Sequence, residues 1–156
     1  IEPNVTIKWN IYLEEGVILK SGTYIEGNVY FGKNCEVWPY THIRWNTSFW
    51  ADTKAWSFSE IKWCYFADET VIAQGAVIVD TVAGMNVNFS SGTITTNWRH
   101  DNTNIKALSK GKLVDTGRRK FGAIVGDNVR LGANTTIYPG RTIPSDGTTL
   151  PGEIVK

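Results

Sequence analysis

The chain has 156 residues, 16 Lys and Arg against 15 Asp and Glu, and 42% hydrophobic residues. That length can bury a sizeable core in one ordinary domain, which excludes both a disordered chain and a disulfide-stapled miniprotein. A net charge of +1 excludes a surface built to coat nucleic acid or an anionic membrane, and no apolar run approaches the roughly 18 residues of a membrane span.

At the start, Ile-Glu-Pro-Asn shows no basic region followed by an apolar stretch, so no secretion signal is expected and a cytoplasmic location is. Every sixth residue from position 1 is then apolar: Ile1, Ile7, Leu13, Leu19, Ile25, Phe31, Val37, Ile43 and Phe49. Four places after each of the first eight comes a second column of small or mostly β-branched residues: Val5, Ile11, Val17, Thr23, Val29, Cys35, Thr41 and Thr47. An α-helix would put residues six apart on different faces, and a hairpin sheet would need period-2 alternation through each strand. The pattern predicts a chain wound around a narrow prism, each hexad giving one short strand and one corner. The large residue fills the interior; its partner is small because the corner is tight. Cys35 and Cys64 lack metal-type spacing, so two buried thiols in a reducing compartment are expected, with no metal site.

The same rule returns after phase slips. Phe66, Ile72 and Ile78 pair with Thr70, Ala76 and Val82; Ala83 and Phe89 pair with Val87 and Thr93. Val125, Leu131, Ile137 and Ile143 form a third set with Val129 and Thr135, while Arg141 breaks the small column and Thr149 the large one. The expected fold class is all-β, a parallel hexapeptide-repeat solenoid filling residues 1–156 as one domain. Residues 95–123 fit no hexad and carry Arg99, Lys106, Lys110, Lys112, Arg118, Arg119 and Lys120 against Asp101 and Asp115. A long loop in a repeat protein is usually functional or disordered. A protruding basic loop that is merely solvated and a site for a phosphorylated ligand are both open readings.

Three stretches carry a family resemblance: Ser-Gly-Thr-Ile-Thr-Thr-Asn-Trp-Arg-His-Asp (91–101), Lys-Gly-Lys-Leu-Val-Asp-Thr-Gly-Arg-Arg-Lys-Phe-Gly-Ala-Ile-Val-Gly-Asp-Asn-Val (110–129) and Ile-Tyr-Pro-Gly-Arg (137–141). They resemble the C-terminal acetyltransferase domain of archaeal bifunctional sugar-1-phosphate nucleotidylyltransferase/acetyltransferases. The likeness is close from about 86 to 143 and looser from 1 to 85. It implies a left-handed parallel β-helix with about 18 residues per coil, usually a homotrimer. It also implies acetyl transfer from acetyl-CoA to the amine of a hexosamine 1-phosphate. That reaction needs a general base, donors for the tetrahedral oxyanion and cations for the phosphate.

Matched residue by residue, the resemblance makes Arg44 and Lys62 phosphate contacts, and Asn88 and Asn97 the family's two substrate-side asparagines. Where relatives carry "Pro-His-Leu-Ser-Tyr-Val-Gly-Asp", this chain reads Ala73-Gln74-Gly75-Ala76-Val77-Ile78-Val79-Asp80. The base His therefore falls on Gln74 and the substrate-contacting Tyr on Val77. A Gln cannot accept a proton near neutral pH, and losing such a base typically costs about 10² to 10⁴ in rate. The other histidines, His42 and His100, are candidates for a rescued site or simply solvated side chains.

The implied coil also makes rungs of outward aromatics: Trp38 over Trp56, Trp45 over Trp63, Tyr12 over Tyr30 and Tyr24 over His42, about 4.8 Å apart. The two Trp pairs are expected to flank one corner. With Trp50 they form an aromatic surface larger than monomers usually leave bare, since each ring can bury about 150–250 Å². It suits a homotrimer interface, or a face for an apolar small molecule or a protein partner. Outward residues and the catalytic block depart from the family while interior columns hold. This predicts a repurposed or engineered acetyltransferase domain acting as a binding scaffold; the alternative is an acetyl-CoA-dependent amino-sugar-1-phosphate N-acetyltransferase.

Overall fold

A computed structural model describes residues 1–156 and contains strands but no helix. The chain visits three parallel sheets in rotation. The first face has eight strands, from Thr6–Ile7 to Ile154–Val155; the second has seven, from Ile11–Leu13 to Thr142–Ile143; the third has six, from Ile18–Leu19 to Arg130–Leu131. Each strand pairs with the equivalent strand one coil on, as Ile25↔Ile43 and Phe31↔Phe49 do at the 18-residue step. The expected parallel solenoid is the observed fold.

The six-residue column explains the core. Leu19, Ile25, Phe31, Val37, Ile43 and Phe49 are buried, and so are the small partners Thr23, Val29, Cys35, Thr41 and Thr47. Stacking coils also stacks side chains, so Phe31, Phe49, Phe66 and Phe89 make an internal column with ring separations of 5.1, 5.3 and 6.0 Å. The corner threonines are satisfied locally: the Thr41 hydroxyl donates to the Trp38 carbonyl at 2.8 Å, and that of Thr47 to the Arg44 carbonyl at 2.9 Å. These two buried hydroxyls thus keep their partners.

The phase slips have one cause. The corner from the first face to the second holds two residues in the earlier coils, Gly27-Asn28 and Trp45-Asn46, ahead of buried Val29 and Thr47. In the next two coils it holds one, Trp63 and then Asp80, ahead of buried Cys64 and Thr81. The coil shortens to a 17-residue step, Phe49↔Phe66 and Phe66↔Ala83. Trp63 and Asp80 take the left-handed backbone, φ +54° and +49°, to make the tighter turn. This corrects the expectation for Val82, which faces outward; Thr81 fills the corner instead.

The segment outside the hexads is an ordered arm. Thr95 still belongs to the ladder, buried opposite Ile137, and Ala123 is already back in the core. Between them Lys106–Ser109 and Lys112–Asp115 form an antiparallel hairpin. The arm is anchored by buried Ile105 and Ala107, and its base is closed by a bridge between Trp98 and Lys120.

Candidate functional site

The base of the arm leans over the first face and leaves a cleft of about 810 Å³. Its floor comes from strand residues Lys62, Val77, Val79 and Thr95; its walls come from the arm residues 96–101 and Lys120, and from the corner residues Tyr138 to Arg141. Four cations, Lys62, Arg99, Lys120 and Arg141, line it against a single carboxylate, Asp101. Asp101 is already clamped by Arg99, with Nη2–Oδ2 at 2.5 Å and Nε–Oδ1 at 3.1 Å. That hydrogen bond holds the Asp101 carboxyl well below the usual carboxylate range and pushes the Arg99 guanidinium up.

Lys62 Nζ lies 3.7 Å from Asp80 Oδ2, and its side chain is only 12% exposed. The same Asp80 oxygen accepts a short hydrogen bond from the Asn97 amide, and the Asp80 carbonyl accepts from Gly122 N–H at 2.8 Å. Asp80 thereby ties the first face to both ends of the arm. Arg141 Nε is buried without a hydrogen-bond partner, an unspent donor on a cleft-lining side chain. Lys120 Nζ sits 5.6 Å from the centre of the Trp98 ring, which holds the ammonium at the wall.

Of the residues proposed from sequence, Lys62, Val77 and Asn97 meet in this cleft. Arg44 is on the same face one rung away, but Glu60 takes its Nη1 at 2.9 Å and Glu26 lies 3.9 Å from its Nε. Asn88 is on the third face, with its amide donating to Ser90 Oγ at 3.3 Å. Gln74 is exposed on the corner between the third and first faces and does not line the cleft. Of the histidines, His100 lines the cleft, whereas His42 sits 3.5 Å from Glu26 against the edge of Tyr24. Arg99 and Lys120 come from the basic segment that the sequence offered as a phosphate site, whereas Trp98, Tyr138 and Arg141 are site residues that sequence reasoning did not select. Arg141 did leave a signal, a cation in a column of small residues.

The outward aromatics stack largely as expected. Trp38 and Trp56 are 5.9 Å apart, and Tyr12 and Tyr30 are 5.6 Å apart and nearly parallel. Trp50 joins the latter ladder between Tyr30 and Tyr65. Tyr40 and Phe58, both left-handed at their corners, add an unforeseen stack at 5.5 Å. The expectation for Trp45 and Trp63 needs correction. Trp63 N–H donates to the Trp45 carbonyl, but the one-residue corner turns Trp63, and the Trp45 ring packs against the Arg44 guanidinium at 4.8 Å. Nor do the Trp pairs share a corner: Trp38 and Trp56 precede the first-face strands, while Trp45 and Trp63 follow them.

No protein-family model matches the chain. In architecture it is similar to a hexapeptide transferase family protein from Anaplasma phagocytophilum, with a TM-score of 0.71 at 13% identity over 94% of this chain and 79% of that one. A putative acetyltransferase from Bacillus cereus superposes with a TM-score of 0.63 at 14% identity, covering 93% and 77% of the two chains. The fold is therefore the left-handed parallel β-helix of hexapeptide-repeat proteins. Within that class, the chain is a relative of the bifunctional sugar-1-phosphate nucleotidylyltransferase/acetyltransferases. It is 39% identical to the protein of that name from Sulfurisphaera tokodaii over 99% of its own length, and 39% identical to the bifunctional protein GlmU of Methanococcus maripaludis over 94%. It spans 39% and 35% of the lengths of those two relatives.

Proposed function

We propose that the chain is a repurposed acetyltransferase domain that binds a sugar 1-phosphate in the cleft under the arm and does not acetylate it. The observation that carries this reading is the donor set: four cations line the cleft, Lys62 paired loosely with Asp80 and Arg99 with Asp101, and the Arg141 Nε is left unpartnered. A phosphate group offers several strong acceptors to such a set, and charge-assisted contacts are the strong ones. Val77 and Val79 on the floor, with Trp98 and Tyr138 on the walls, supply apolar surface for the body of a sugar. The names of the sequence relatives supply the substrate class.

Acetyl-CoA is the acyl donor that the acetyltransferase part of those names implies. The residues present do not fit its use. The position matched to the base is Gln74, an exposed amide outside the cleft, and the position matched to the Tyr is Val77. No acetyl-transfer step follows from this donor set. A homotrimer is part of the proposal, since coils of this type commonly assemble so, and sedimentation checks it.

The test is paired. Calorimetric titration with glucosamine 1-phosphate should give saturable binding that glucosamine alone does not. Incubation of the protein with acetyl-CoA and glucosamine 1-phosphate should release free thiol at the background rate. Enzymatic thiol release would replace this reading with the acetyltransferase one, and absence of phosphate-dependent binding would end both.

A further inference from the structure

A second groove lies at the corner between the first and second faces, reaching from the first coil to the coil whose strand carries Lys62. Residues 9, 27, 45 and 63 occupy equivalent places on four successive coils, because strand pairing there runs at the 18-residue step. They read Trp, Gly, Trp, Trp. Gly27 is buried beneath the Trp45 indole, so the rung without an indole of its own is covered by the ring of the next coil, and Trp9 and Trp63 flank it on either side. The result is a groove of about 310 Å³ lined by Trp9, Gly27, Asn28, Trp45, Asn46 and Trp63.

Three features of that lining narrow what fits. None of the six residues carries a charge, so nothing in the lining complements an anion. Arg44 lies over the Trp45 ring, where it would repel a quaternary ammonium of the kind that aromatic cages hold. The amides of Asn28 and Asn46 are exposed beside the indoles, so a purely apolar ligand would cover polar groups without satisfying them. A neutral ring with an apolar C–H face and hydroxyls around its edge answers all three: the face packs on indole and the hydroxyls meet the amides.

We propose that the groove formed by Trp9, Trp45 and Trp63 with Asn28 and Asn46 binds a pyranose unit of a neutral carbohydrate. The groove shares no lining residue with the cleft, although its Trp63 directly follows the cleft's Lys62. Gly27 is required because its φ of +88° and the Trp45 indole above it leave no space for a side chain.

The test titrates the full chain with cellohexaose, maltohexaose and chitohexaose in turn, following tryptophan emission and saturation-transfer NMR. At least one probe should saturate, with glucosamine 1-phosphate failing to compete. Trp45→Ala should weaken that binding more than tenfold, and Asn46→Ala about three- to tenfold, the size of one lost neutral hydrogen bond. Trp38→Ala, on another corner, should leave it unchanged, and circular dichroism confirms that each variant folds. The proposal fails on any of three results: no probe saturates, Trp38→Ala and Trp45→Ala lose binding alike, or tetramethylammonium displaces the bound oligosaccharide.

Discussion

Arg44 and Lys62 are register partners on adjacent strands, yet only Lys62 lines the cleft. Arg44 is held by Glu60 at 2.9 Å with Glu26 nearby, whereas Lys62 reaches Asp80 only at 3.7 Å, and that carboxylate is shared with Asn97. A ligand phosphate in the cleft therefore gains a charge-assisted contact from Lys62 and none from Arg44. Lys62→Ala should lower affinity for glucosamine 1-phosphate by roughly tenfold or more. Arg44→Ala should change it less than threefold, by calorimetric titration of both variants.

Thr81 and Val82 test the shortened corner. The buried Thr81 hydroxyl donates to the Val79 carbonyl at 2.8 Å, lies 3.1 Å from Thr95 Oγ1 and accepts from Ala123 N–H at 3.2 Å, where the chain re-enters from the arm. Thr81→Val leaves that N–H buried and unpaired, which should cost about 1–3 kcal/mol. Val82→Thr changes an outward side chain and should stay within about 0.5 kcal/mol. Urea midpoints of the two variants decide the register, since the opposite order would put Val82 inside.

The columns were legible because a narrow prism gives each interior position one job, and residues such as Ile25, Ile43 and Phe49 repeat it at a fixed step. The residue dropped at each slip was not legible. Periodicity reports the phase on either side of a corner but not which of Trp63 or Cys64, Thr81 or Val82, turns inward. The site divides the same way. Lys62, Val77 and Asn97 were found through the family resemblance, and their convergence follows from the coil. The pairing of Trp98 with Lys120 was not legible because it closes an arm across 21 intervening positions, a non-local pairing that leaves no repeat. Asn88 and Gln74 fall on another face and another corner, a separation visible only once the three faces are placed.

Cys35 and Cys64 give the fold a pH dependence of known sign. Burial pushes both thiols up to about 12, above the ordinary thiol range, and the Cys35 Sγ also donates to the Trp50 carbonyl at 2.9 Å. In the unfolded chain they ionise first, so between about pH 9 and 12 the unfolded state binds fewer protons. Stability should therefore fall as pH rises through that window and owe nothing to these thiols below about pH 8. Unfolding midpoints from pH 7 to 10.5 should decline, and a Cys35→Ala, Cys64→Ala double variant should decline less steeply. Equal slopes would show that the thiols are not the titrating groups. Iodoacetamide should label neither thiol at pH 8 until denaturant is added.

Asp101 is the one carboxylate in the cleft, and it restrains the cation a phosphate would need. Its two oxygens hold the Arg99 guanidinium, while the Thr103 N–H and hydroxyl donate to Oδ1 at 3.1 and 2.9 Å and fix the turn. Asp101→Asn removes the charge and keeps an oxygen for Thr103, so the turn should survive and the guanidinium should become free to swing to a ligand. The Arg99–Asp101 pair is about half exposed on both sides, so solvent screens it and the gain is modest. Affinity for glucosamine 1-phosphate should rise up to about fivefold at low salt, and the advantage should shrink at 0.5 M NaCl, well above physiological ionic strength. Weaker binding by Asp101→Asn would mean that the carboxylate itself contacts the ligand, as it would for an amine, and would move the phosphate to the Lys62 and Arg141 end of the cleft.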